Sequence, residues 1–150
     1  MTTAPEPHEA PPVTLLETPF TRDDLPRLRM LVEQYADHHG LPEPRRGDFI
    51  VALDAVAVNA VEHAGGGGTL VLERGTGHLA CHIHDRGPGF SAPAATGTAP
   101  GLDGRPGGRG LRLAGLLTDE LTVCAGPGGT RVTLSVRLPA QRCEPRRSQS

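Results

Sequence analysis

The sequence predicts an α+β protein, a two-layer sandwich in which a mostly antiparallel sheet is covered by helices on one face. Three observations carry this expectation. Short segments of alternating apolar and polar residues lie on both sides of two longer stretches with helical periodicity. The element order reads β-α-α-β-β-α-β-β, without the regular strand–helix alternation of a parallel sheet. The second helical stretch is apolar almost all round, as in a helix buried against a sheet.

Taken in order, Val13–Thr18 reads as the first strand. Asp23 or Asp24 then caps a helix with Leu25, Leu28, Leu31, Val32 and Tyr35 at helical spacing, ending at Gly40. Pro42 and Pro44 interrupt the chain before the second helix, about Arg45 to Ala64, and Gly65–Gly68 stop it. Strands follow at about Thr69–Glu73 and His78–Asp85. The segment Arg86 to Pro106 is rich in Gly, Pro and Ala and has no periodicity; loops of that length within a domain are usually functional, for instance as lids. A short helix at about Gly108–Leu117 precedes strands near Glu120–Cys124 and Thr130–Leu138. Residues 13–139 are expected to form one domain, with disordered tails at 1–12 and 140–150.

Composition removes several classes of function. A net charge of −2 leaves no basic footprint for nucleic acid, and the Arg-rich end (Arg142, Arg146, Arg147) reads as a solvated tail. Three cysteines, Cys81, Cys124 and Cys143, are an odd number at wide spacing and indicate reduced thiols, with Cys81 and Cys124 expected in the core. No apolar run reaches membrane-spanning length and Met1–Pro12 lacks the apolar stretch of a signal peptide, so a soluble cytoplasmic protein is expected. His78, His82 and His84 share one strand face. They read as a solvated sheet face or a dimer contact rather than a zinc site.

Asn59 is the residue that packing does not explain. It stands inside the apolar run Asp54–Ala64, where an unpaired buried amide costs roughly 1–3 kcal/mol. Strand parity adds two further polar groups. Asp85 continues the inward set Leu79, Cys81 and Ile83, and Thr130 shares the parity of Val132, Leu134, Val136 and Leu138. If those strands are antiparallel neighbours, Asp85 and Thr130 meet in one pocket. Gly87 and Gly89, just after the carboxylate and before Phe90, permit close backbone approach to a ligand. Gly107-Gly108-Arg109-Gly110-Leu111 opens a helix whose N-terminal amides suit phosphate.

This ordered set resembles the GHKL superfamily of gyrase, heat-shock chaperone, histidine kinase and mismatch-repair ATPases, and is most similar to bacterial anti-sigma-factor serine/threonine kinases. Asn59 and His63 match the N box, Asp85-x-Gly87-x-Gly89 the first glycine box, Gly108-x-Gly110-Leu111 the second, and Gly128-Gly129-Thr130 the last. The resemblance implies a Bergerat-type fold that binds ATP and Mg2+. Asn59 would ligate the metal, with His63 lining the same cavity. Asp85 would accept the adenine amino hydrogen with help from Thr130, and Gly87, Gly89 and Phe90 would border the adenine. Gly108, Arg109, Gly110 and Leu111 would hold the phosphates, with Arg86–Pro106 as the lid. Implied partners are a sigma factor and an anti-sigma antagonist, the latter phosphorylated on serine, and a homodimer is compatible.

One position departs from that pattern. The general base of such kinases is a glutamate four residues before the N-box asparagine, and here that residue is Ala55. Asp54 is rotated about 100° around the helix and points elsewhere. The resemblance thus implies impaired phosphotransfer, or a non-catalytic module that uses ATP to govern its binding of a transcription regulator.

Overall fold

The computed structural model describes residues 11–63, 66–85 and 108–140. It contains β1 (Val13–Thr21), a 3-10 turn (Arg22–Asp24), α1 (Leu25–His38), α2 (Arg45–His63), β2 (Gly67–Gly75), β3 (His78–Asp85), α3 (Gly108–Leu117), β4 (Glu120–Gly126) and β5 (Gly129–Arg137). The five strands form one antiparallel sheet in the order β1-β2-β3-β5-β4. The expected tails, the Arg86–Pro106 segment and Cys143 lie wholly or largely outside the described residues.

Local chemistry explains most boundaries. β1 runs three residues beyond the predicted Thr18, because Pro19, Phe20 and Thr21 pair with Thr69, Gly68 and Gly67 of β2. Pro19 is tolerated there since β1 is an edge strand, where a missing N–H need not break a ladder on both sides. Gly68 lies so close to β3 that a Cβ would collide with the His84 carbonyl, which accounts for glycine at the start of β2. Asp24 does not cap α1 with its side chain as expected. Its carboxylate turns back to accept the Thr21 N–H at 2.9 Å, closing a capping box over the 3-10 turn. Gly40, at φ +91°, ends the first helical hairpin arm in the left-handed region.

Between the layers lies the core. Leu70, Leu72, Leu79, Cys81, Ile83, Val132, Leu134 and Val136 from the sheet meet Leu28, Val32, Phe49, Leu53 and Val56 from α1 and α2. Burial pushes the Cys81 thiol far above its ordinary range, so it stays protonated. Two expectations need correction. α2 is not buried all round: it forms the outer layer, so Val51 is half exposed and Glu62 faces solvent. Cys124 is exposed rather than in the core, because its parity on β4 sets it opposite Arg131 on the outer sheet face.

The outer face carries its own polar network. His82 bonds the Glu73 carboxylate through Nε2 at 3.0 Å and the Thr133 hydroxyl through Nδ1 at 2.9 Å. That chain ties β2, β3 and β5 together on the side away from the helices.

Candidate nucleotide site

Among the described residues the buried polar or charged ones are Asn59, Asp85 and Thr130. Their placement follows from topology. β3 and β5 are antiparallel, and their last rung pairs Asp85 directly with Thr130. Both side chains continue the inward parity, and Thr130 is 1% exposed. Its Oγ1 is buried without a hydrogen-bond partner among the described residues. An unsatisfied buried hydroxyl costs roughly 1–3 kcal/mol, so such a group calls for a physical reason.

Asn59 reaches the same end of the layer by chain connection. It lies one turn before the end of α2, and after a short link β2 starts at Gly67, where its first rungs pair with the end of β3 (Thr69 with His84). Asn59 is buried there, 7% exposed. α3 completes the end. The Arg45 guanidinium, at the start of α2, contacts the Asp119 carboxylate at 2.6 Å, just past the end of α3. The two helices therefore run antiparallel, and the first turn of α3 at Gly108 lies toward the Asn59 end of α2.

The remaining sequence-derived positions divide. Gly108 and Gly110 belong to the first turn of α3, and the Leu111 side chain is buried in the core, leaving its backbone for any ligand. His63 is the last residue of α2; its side chain and that of Arg109 lie outside the described residues, as do Gly87, Gly89 and Phe90. Ala55 is half-buried on α2. Asp54, expected to point elsewhere, forms a 2.8 Å ion pair with Arg29 of α1. It is held away from position 55 as well as rotated from it.

Sequence reasoning missed Asp119. Its Oδ2 accepts the Arg137 N–H at 2.6 Å as well as the Arg45 guanidinium. The Arg137 amide and the Arg45 guanidinium together hold its carboxyl below the ordinary aspartate range. Arg45 and Asp119 are 74 residues apart, and neither belongs to a local motif.

The arrangement suits a ligand that brings polar groups to a buried acid–hydroxyl rung, with an amide and a helix N-terminus at the same end of the layer. The sequence profile of the histidine kinase-like ATPase domain matches residues 18–136. The chain belongs to that family. As a histidine kinase-like ATPase domain it shares its fold with the crystal structure of the RsbU and RsbW domains of Rv1364c from Mycobacterium tuberculosis, at 22% identity and a TM-score of 0.62. That match covers 90% of this chain and 35% of the other, so this ATPase domain spans about a third of that protein's chain. No curated protein matches it by sequence. Among the described residues no helix is long and apolar enough to cross a membrane.

Proposed function

We propose that this histidine kinase-like ATPase domain is an ATP- and magnesium-binding cytoplasmic regulator of the anti-sigma-factor serine kinase type. Its partners would be a sigma factor and an antagonist protein, with phosphotransfer to a serine of the antagonist slowed by Ala55. The observation that carries the nucleotide reading is the buried Asp85–Thr130 rung with its unpartnered hydroxyl. A carboxylate beside a hydroxyl suits the amino edge of adenine, where Asp85 accepts a hydrogen and Thr130 supplies a rotatable donor or acceptor. The Asn59 amide oxygen is a hard ligand suited to magnesium, which when bound neutralises phosphate charge. Backbone amides of Gly108, Arg109, Gly110 and Leu111 would meet phosphate at the α3 N-terminus. His63, Gly87, Gly89 and Phe90 would complete the wall.

Titration calorimetry with MgATP tests this reading. Wild type binds, and Asn59→Ala weakens binding in magnesium while changing it little in EDTA. Equal affinity of both proteins in magnesium would remove Asn59 from metal ligation.

A second reading, a non-catalytic module that sequesters a transcription regulator in an ATP-dependent way, is favoured by one contact. The carboxylate nearest to position 55, Asp54, is engaged by Arg29 and unavailable as a base. Ala55→Glu separates the two readings. If only the base is missing, phosphotransfer rises by about 10²–10⁴, the usual worth of general-base catalysis. If the chain is a binding module, the rate stays at background.

A further inference from the structure

α3 has ten residues, fewer than the roughly 12–15 at which an isolated helix becomes even marginally stable. Tertiary contacts must therefore set its position. Its inward face is narrow: Leu111 and Ala114 are buried, whereas Leu113 and Leu116 are exposed. The helix leans chiefly on α2 and touches the sheet mainly at β4.

Its C-terminal end is fastened by a set of specific bonds. The Thr118 hydroxyl donates to the Ala114 carbonyl at 2.8 Å, and the Asp119 N–H donates to the Ser135 carbonyl at 2.9 Å. The Asp119 carboxylate then receives Arg45 from α2 and the Arg137 amide from the end of β5. Among the described residues this is the one ion pair between α2 and the segment that follows α3.

We propose that Asp119 is a positioning residue for the opposite, ligand-facing end of α3: by tying α2, α3 and β5 at one carboxylate, it fixes the axis on which the Gly108–Leu111 turn is presented. The functional half of this inference rests on the nucleotide reading above; the mechanical half does not. A tilt of about 5° over a lever of about 15 Å displaces the first turn by about 1 Å. That exceeds the roughly 0.5 Å tolerance of a preorganised site.

The experiment uses the full chain with Asp119→Asn and Arg45→Met. Arg46→Met is the control, because Arg46 is the next residue on α2 but serves Glu33, Asp37 and Glu43. Two quantities are read: hydrogen exchange without nucleotide at the Arg112–Ala114 amides, which bond back to the carbonyls of the first turn, and the MgATP dissociation constant. Asp119→Asn and Arg45→Met should each speed that exchange and weaken MgATP about fivefold, within the range for coupling through a packed element. Their double variant should be no worse than either single. Arg46→Met should lower the melting temperature without either effect. Wild-type exchange at Arg112–Ala114 in both latch variants would overturn the positioning role. Faster exchange with unchanged MgATP affinity would overturn its functional half. A wild type that does not bind MgATP would overturn the nucleotide reading alone, since exchange still decides the mechanical claim.

Discussion

The two ends of the antiparallel α2–α3 pair treat polar groups in opposite ways. At the Arg45 end, Asp119 is surface-accessible and has both a guanidinium and a backbone amide within 2.6 Å. At the Asn59 end, three polar residues are buried, and the Thr130 hydroxyl has no hydrogen-bond partner among the described residues. Burial without satisfaction is the costlier arrangement. Arg46 Nε, at the Arg45 end, is also buried without a hydrogen bond, but that guanidinium lies among the carboxylates of Glu33, Asp37 and Glu43, whereas the Thr130 hydroxyl has no hydrogen-bond partner among the described residues.

The largest expected effect follows from removing the buried acid. Asp85→Asn keeps the shape of the rung but replaces an acceptor by an amide that presents donors, so MgATP affinity should fall by about 100-fold, equivalent to about 2.7 kcal/mol. Fold stability should change far less, which thermal unfolding checks. If Asp85→Asn instead unfolds the domain while its residual folded fraction binds ATP normally, the acid is a frame residue and the contrast between the ends is lost.

How much of this was legible in the sequence differs between the ends in the same way. Inward parity exposed the Asn59 end, since Asp85 extends Leu79-Cys81-Ile83 and Thr130 extends Val132-Leu134-Val136, and the observed register pairs them. Helix α3 also begins and ends at the expected residues because glycines and an apolar stripe mark it locally. Other features depend on partners distant in the chain. The strand seems to end at Thr18 until Pro19–Thr21 is seen paired with β2, and Cys124 looks like a core residue until Arg131 is seen opposite. The Arg45–Asp119 contact has no local signature, since a solvated Arg and a turn Asp are common separately.

A smaller and more diagnostic effect is expected from Thr130→Val. The valine methyl replaces a hydroxyl that bonds none of the described residues, so stability should rise by about 1 kcal/mol. Affinity for MgATP should fall about tenfold if the hydroxyl meets the ligand, a loss of about 1.4 kcal/mol. Opposite signs of the two changes, read by chemical denaturation and calorimetry, are the signature of a group reserved for a ligand. A drop in stability would mean that the hydroxyl already has a partner in the free protein.

The smallest effect belongs to the frame end and concerns acid. Asp119 has a carboxyl held below the ordinary aspartate value of about 3.9, first by the Arg137 amide and then by Arg45. A depressed folded-state pKa means that the unfolded chain takes up the proton first as pH falls. The stabilisation is therefore fully present above about pH 4 and is lost as pH drops through the folded-state value. Asp24, lowered by the Thr21 amide, titrates in the same sense, so wild type alone does not separate them. Asp119→Asn does: its stability should be lower than that of wild type at neutral pH, and the gap should narrow as pH falls below about 4. Because the site is partly exposed and screened, the gap is small and should shrink further in high salt. A gap independent of pH would assign the Asp119 contribution to its shape rather than its charge, and Arg45 would then be a bystander at the end of α2.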